Sequence, residues 1–294
     1  MKPGKVNTIY ILSVLIIILS VIVSSTGLFY TTGGKAYDFV NQYGDTVKIY
    51  GDGLYSHDSY FKAPILRGTD FTMLFFAVPA LAIALILDIR KKSIKAKMFL
   101  TSVISVFTYY SASLSFGVTY NLLHLVYIAL FSVSLFALIT AIASMDLKKV
   151  ADSIDTPLPY KGIYTFLAFT GATLTAAWLP DIISSLVSGR SLGLIEIYTT
   201  EITYVLDMGI IGPAAFICLF KLVKRNGFGY VLLSILLTLC ITIGVMIPLQ
   251  TVFQSIAGIE TPMPVLITKV GSFVVLSFFA VYFNIKLYVK MKVN

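Results

Sequence analysis

Ile83-Ala84-Leu85-Ile86-Leu87-Asp88-Ile89-Arg90-Lys91-Lys92-Ser93-Ile94-Lys95-Ala96-Lys97-Met98-Phe99-Leu100 sets one apolar run against the next across a short basic hinge. Upstream, the apolar residues reach back to Phe71. Downstream, they continue to Gly117. At about 1.5 Å per residue, each run is a helix long enough to cross a hydrocarbon layer about 30 Å thick. The hinge is too short and too polar to lie within that layer, so the two helices form an antiparallel pair with the lysines left at one surface. The same pattern recurs outward in both directions. Further runs span Ile9–Leu28, Leu122–Ser144, Ile163–Leu179, Thr203–Val223, Tyr230–Phe253 and Val265–Ile285.

The basic residues fix the direction of threading. Sixteen of the 22 lysines and arginines fall at the chain ends or on alternate connections, among them Lys2, Lys5, Arg90–Lys97, Lys148, Lys149, Lys161, Lys224, Arg225 and Lys292. The intervening connections hold Lys35, Lys48, Lys62, Arg67 and Arg190, while Lys269 lies inside the last run. Cytoplasmic loops carry the lysine and arginine excess, so both termini are expected in the cytoplasm of a bacterial or archaeal cell, with the chain in its plasma membrane. The expected fold is all-α: a polytopic transmembrane bundle of about eight helices. It reads as one integral membrane domain over 1–294, with outer loops at 29–70 and 180–202.

Composition agrees. The chain has 294 residues, is 57% hydrophobic and 12% charged, and has a mean hydropathy of +0.90. Soluble domains carry about 25% charged residues. The net charge of +8 sits in short loops beside apolar runs, which assigns it to membrane orientation and to lipid headgroups rather than to nucleic acid. The expected partner is the lipid bilayer, with a small molecule or ion as ligand; nothing in the chain speaks to oligomeric state. A cleavable signal peptide is the competing reading of the first run, because Ser24-Ser25-Thr26-Gly27 offers small residues. The run exceeds the roughly 7–15 apolar residues of a signal core, which favours an uncleaved helix.

Within the first outer loop, Thr46-Val47-Lys48-Ile49-Tyr50 alternates polar and apolar residues. Gly51-Asp52-Gly53 is a turn signal and Leu54-Tyr55 follows. This predicts a small extracytoplasmic β-hairpin between the first two helices. Loop lengths suggest a duplication of four helices each, parallel because both halves start inside.

A charge in hydrocarbon is costly and needs a partner or wet surroundings. Asp70 opens the second run, Asn121 and His124 lie at the start of the fourth, and Asp207 and Lys269 lie about one turn into the sixth and eighth. All four runs enter from the outer side. Asp207 and Lys269 are expected to pair, with Gln250, Gln254, Glu260, Trp178 and Asp181 extending an outer polar cavity. The ligand-binding set is therefore Asp70, Asn121, His124, Asp207, Gln250 and Lys269. A helix-locking ion pair is the alternative for Asp207 and Lys269. Helix three carries Thr108, Tyr109, Tyr110, Ser111, Ser113 and Ser115, read as close helix packing or as cavity lining. Pro79, Gly212-Pro213 and Pro248 predict kinks. Two histidines, His57 and His124, do not make a zinc or haem site. Cys218 and Cys240 lie in apolar runs and form no CxxC. No catalytic residue, metal or cofactor is assigned, and there is no phosphate loop, nucleophile elbow or selectivity-filter motif.

The segment Gly51-Asp52-Gly53-Leu54-Tyr55-Ser56-His57-Asp58-Ser59-Tyr60-Phe61-Lys62-Ala63, followed by Arg67-Gly68-Thr69-Asp70, resembles one that recurs before the second helix of uncharacterised prokaryotic multi-pass membrane proteins. That resemblance implies a multi-pass membrane protein and directs attention to the start of helix two. It carries no activity with it.

Three function classes remain. The first is a protein that moves or gates a small solute or ion through a polar cavity open to the outer face. The second is an outer-face ligand-binding, sensor or accessory membrane protein. The third is a membrane-embedded enzyme acting on lipid-like substrates, with Asp70, Asp207 and His124 as acid–base groups. Kinked helices favour the first. The lack of a metal or phosphate cluster places an enzyme last.

Overall fold

A computed structural model describes residues 3–154, 157–260 and 262–292, apart from the side chains of 3–7, 265 and 269. It contains eight helices long and apolar enough to cross a membrane. They are α1 (Pro3–Phe29), α2 (Lys62–Lys91), α3 (Ile94–Gly117), α4 (His124–Ala143), α5 (Tyr160–Ser188), α6 (Ile202–Val223), α7 (Gly227–Ile256) and α8 (Leu266–Lys290). A short helix, Leu147–Asp152, joins α4 to α5. This is a polytopic membrane protein. Outward-facing aliphatic and aromatic side chains such as Ile11, Ile83, Leu125, Phe220 and Phe278 give its flanks the chemistry of lipid tails.

Local chemistry sets the helix ends. Lys92, in the left-handed region at φ 48°, ends α2, and Ser93 caps α3 by accepting from the Ala96 N–H at 3.2 Å. Asp146 accepts from the Lys149 N–H at 3.1 Å to start the short helix. Asn226 accepts from the Phe228 N–H at 2.9 Å to start α7. Each is a side-chain acceptor meeting a free first-turn donor.

Two of the expected kinks take the form of π turns. Proline has no N–H for the carbonyl one turn back, and its ring crowds that carbonyl. Just before Pro79, the turn Met73–Ala77 widens to π spacing, and the Val78 N–H bonds to Met73. Just before Pro213, the turn Asp207–Ile211 does the same, with the Gly212 N–H bonded to Asp207. A third π turn, Leu266–Val270, opens α8. The widened turns move the crowded carbonyls aside and leave the helices continuous.

In the middle of the bundle, α3 and α7 cross. Of α3's apolar stretch, 67% is buried, against 28% for α4. α7 packs on α2, α3, α6 and α8, whereas α3 packs on α2, α4, α6 and α7. α1 lies against α2 and α4, and α5 against α6. The α1–α2, α2–α3 and α3–α4 contacts have counterparts in α5–α6, α6–α7 and α7–α8, whereas the extensive α1–α4 contact has no comparable one between α5 and α8. The buried stripe of α1 (Ile9, Ser13, Ile16, Ser20, Val23) has helical spacing and small side chains, which lets it lie close to its neighbours. Ser111 of α3 bonds to Ser134 of α4 at 2.9 Å, and Ser115 donates to the Tyr127 carbonyl at 3.0 Å. Ser111 and Ser115 of the hydroxyl run thus form a packing face toward α4, while Tyr109 and Tyr110 turn to other helices.

The hairpin is present with a different partner strand. β1 (Tyr37–Val40) pairs antiparallel with β2 (Thr46–Ile49), Val40 opposite Thr46. Its turn is Asn41–Asp45. There the Asn41 side chain accepts from the N–H groups of Tyr43 and Asp45, both at 2.9 Å, and Gly44 adopts φ 85°. An asparagine that closes its own turn competes well with the expected glycine turn. Gly51-Asp52-Gly53 instead anchors the loop leaving α1. Asp52 Oδ1 accepts from the Thr32 N–H at 2.7 Å and the Gly33 N–H at 2.9 Å. These bonds, the Thr32 N–H foremost, hold the Asp52 carboxyl below the ordinary carboxylate range. The second long connection is shorter than expected, because α5 continues past Pro180 to Ser188.

At the α2–α7 crossing, a Cβ on Gly68 would lie 2.5 Å from the Gln250 Cα. Gly68→Leu should therefore cost about 1–3 kcal/mol through forced backbone separation and lower the melting temperature in detergent. Gly209→Ala, with no atom within 4 Å of the added carbon, should leave melting within about 0.5 kcal/mol of wild type.

Candidate functional site

Three carboxylates are buried within the helices: Asp88 near the lysine-rich end of α2, and Asp70 and Asp207, which are both served by one helix. Tyr109 and Tyr110 are consecutive on α3, so their side chains leave it about 100° apart. Tyr110 points to α2 and donates to Asp70 Oδ1 at 2.6 Å. Tyr109 points to α6 and donates to Asp207 Oδ1 at 3.0 Å. Each carboxylate has a second donor. Tyr55, folded in from the loop before α2, donates to Asp70 Oδ2 at 2.6 Å. Trp178 Nε1 on α5 donates to Asp207 Oδ2 at 3.1 Å. All four carboxylate oxygens are thus satisfied by aromatic O–H or N–H groups. Among the described residues, neither aspartate is in an ion pair; the ion pairs found are Lys62–Glu201 and Lys149–Asp146.

The aspartates occupy similar places in their helices. Asp207 begins the π turn of α6, and Asp70 lies three residues before that of α2. Asp70 is fully buried and Asp207 nearly so. Gly27 of α1 permits the burial of Asp70, since a Cβ there would lie 1.8 Å from Oδ2. One turn before Asp70, Arg67 donates to the Tyr50 hydroxyl at 2.9 Å and to the Leu28 carbonyl at 3.0 Å. Beside Asp207, Trp178 stacks on Tyr204 at 4.7 Å, and the Tyr204 hydroxyl donates to Asp181 at 2.9 Å.

The remaining expected site residues are distributed as follows. Gln250 donates to Thr69 Oγ1 at 2.7 Å, next to Asp70 in the chain. Asn121 donates to the Tyr127 hydroxyl at 3.2 Å. Tyr127 is fully buried in α4 and neighbours Tyr55. His124 sits at the first turn of α4, its ring 5.3 Å from that of Tyr120. The Lys269 side chain, and with it the expected Asp207–Lys269 pair, lies outside the described residues. Asp207 and Asp70 are served separately, from two faces of α3 about 100° apart.

Above the bundle, on the hairpin face, lies a second polar cluster, which joins Asp58, Ser59 and Lys62 of the segment quoted above to Glu196, Tyr198 and Glu201 of the second outer connection. Asp58 is fully buried, accepting from the Thr119 N–H at 3.1 Å, the Thr119 hydroxyl at 2.9 Å and the Tyr198 hydroxyl at 2.9 Å. Ser59 donates to Glu196, and Lys62 bonds to Glu201 while lying 4.1 Å over the Tyr198 ring. Asn41 and Gln42 of the hairpin donate to the Glu196 and Tyr198 carbonyls at 2.7 and 3.3 Å. Burial pushes the Asp58 carboxyl up to about 6, against the lowering effect of the Thr119 and Tyr198 donors. Burial likewise raises the Glu196 carboxyl and the Tyr198 hydroxyl. Between the hairpin and residues 189–196 lies a cavity of about 880 Å³, lined by Asn41, Lys48, Tyr60, Arg190 and Glu196 among others. Among the described residues, no group of three or more His, Cys, Asp and Glu side chains is placed to hold a metal.

No protein-family model, curated protein or solved structure matches this chain. The chemistry of the site therefore rests on its geometry.

Two predictions follow from the partners of Asp207 and Asp58. Tyr109→Phe keeps the ring and strips Asp207 Oδ1 of its donor. It should destabilise the protein by about 1–3 kcal/mol, the cost of an unsatisfied buried group, read as a lower melting temperature in detergent. For Asp58, the folded protein holds a proton between the ordinary carboxylate value and about 6 that the opened loop has released. Its contribution thus favours folding below that window and declines as pH rises through it. The melting temperature should fall as pH rises from about 4 to about 6, and Asp58→Asn should flatten that slope.

Proposed function

We propose that this protein moves or gates a small solute or ion across a bacterial or archaeal plasma membrane, with its lysine-rich face and both termini in the cytoplasm and its hairpin face outside. The observation that carries the reading is the pair of buried aspartates beside π turns, held by consecutive tyrosines of one central helix. Ionisable groups at membrane depth are costly and mark ion or substrate paths. π turns in helices interrupt the regular ladder and coincide with functional positions. Here the ladder is interrupted beside the aspartate in both α2 and α6, so either helix can bend there and alter the surroundings of its carboxylate without losing a span.

The test is ion flux into proteoliposomes under imposed proton, sodium or potassium gradients, followed with ion-sensitive dyes. Wild-type protein should dissipate one of these gradients at least tenfold faster than Asp70→Asn or Asp207→Asn. Dissipation no faster than in protein-free liposomes for all three would sink the reading.

A second reading is favoured by one specific observation, the cavity of about 880 Å³ on the hairpin face. Its mixed lining of basic, acidic, amide and aromatic side chains suits a polar organic ligand bound from outside. In that case Arg190→Glu and Lys48→Glu should weaken ligand binding to the purified protein, while Asp70→Asn should leave it unchanged.

A further inference from the structure

Directly above Asp70 lies a second, much smaller cleft of about 50 Å³, lined by Gly27, Tyr50, Asp52, Tyr55 and Arg67 among others. It is large enough for a few water molecules and too small for an organic substrate. Tyr55 is shared by the cleft and the buried carboxylate, lining the first and donating to Asp70 Oδ2 at 2.6 Å. Gly27 lies at the same junction. We propose that Asp70 is a proton-binding site charged from the hairpin face through this cleft, with the Tyr55 hydroxyl as the relay.

The step balances. A hydronium in the cleft gives a proton to the Tyr55 oxygen, and the Tyr55 hydrogen already directed at Asp70 passes to Oδ2. The products are water, a neutral tyrosine and a protonated Asp70, whose new O–H donates back to Tyr55. The Tyr110 hydroxyl remains on Oδ1 throughout. Asp52 draws cations toward the cleft, and the guanidinium of Arg67 on its wall offsets part of that field. The donor set favours a proton, since both hydroxyls already point their hydrogens at the carboxylate and little oxygen is left to ligate a metal. The titratable or charged groups facing Asp70 are Arg67 on its own helix, Tyr55 on the preceding loop, Tyr110 on α3 and Tyr127 on α4. α1 and α7 contribute Gly27 and Gln250, which do not titrate in this range.

This inference deepens the transport reading by naming the ion, and it can be tested apart from flux. The full chain in nanodiscs is titrated with acid and followed by infrared difference spectroscopy of the protonated-carboxyl stretch, with Asp58→Asn as background to remove the loop carboxyl. A band lost in Asp70→Asn is expected. In Tyr55→Phe that band should remain, but its exchange with deuterium should slow at least tenfold. Failure of Asp70 to give any band at a pH where the protein is folded would overturn the proposal. So would wild-type exchange in Tyr55→Phe, or release of the proton on adding sodium or potassium chloride at constant pH. Should Asp70→Asn not fold, Asp70→Glu, which shifts the band rather than removing it, serves the same assignment. A band with the expected behaviour in a protein that dissipates no gradient would leave the proton site standing and refute transport. Gradient dissipation without the band would do the reverse.

Discussion

A carboxylate inside a bilayer has to be met by donors, because no water is there to meet it. In this protein the donors come from consecutive positions of α3, Tyr110 turned to Asp70 and Tyr109 to Asp207. That requirement organises the bundle. It makes α3 the buried helix, places α2 and α6 on either side of it, and draws Tyr55 and Trp178 in from outside α3 to satisfy the second oxygens. Charge-assisted bonds from neutral donors satisfy both aspartates, and among the described residues neither is in an ion pair.

The glycine and proline pattern fits the same requirement. Gly27 leaves room for the Asp70 carboxyl, and Gly68 lets α2 approach α7 at backbone contact distance. The prolines that follow the π turns remove backbone donors where the helices are already irregular, so the irregularity falls near the polar groups. A bundle that only had to stay folded would gain from apolar residues at both aspartates, since exchanging buried polar groups for well-packed hydrocarbon is often neutral or stabilising.

Much of the architecture was legible in the chain, because hydropathy and basic-residue spacing report the membrane directly. The hinge from Asp88 to Lys97 and its counterparts gave the number and order of the helices. Asp70 and Asp207 stood out as carboxylates at the edge of apolar runs, and Pro79 and Pro213 as points of irregularity. Trp178, Tyr109 and Tyr110 were legible as candidate members of a polar cavity, but which of them meets which carboxylate was not. Tyr55 reaches Asp70 only through the fold of the loop, and the division of labour between Tyr109 and Tyr110 depends on where α2 and α6 pack. The hairpin shows the same limit on a small scale. Gly51-Asp52-Gly53 has good turn residues, but register was decided by Asn41, whose side chain closes the turn that the strands actually use. Lys62 and Glu201 read as ordinary loop charges until tertiary structure brought them together.

That last contact has a mechanical consequence. Lys62 is the first residue of α2, and Glu201 immediately precedes α6. The two aspartate-bearing helices are yoked at their heads, with the hairpin stitched over the yoke through Asn41 and Gln42. The heads of the two aspartate-bearing helices are therefore held at a fixed spacing by a contact that lies under the hairpin, on the exposed crown.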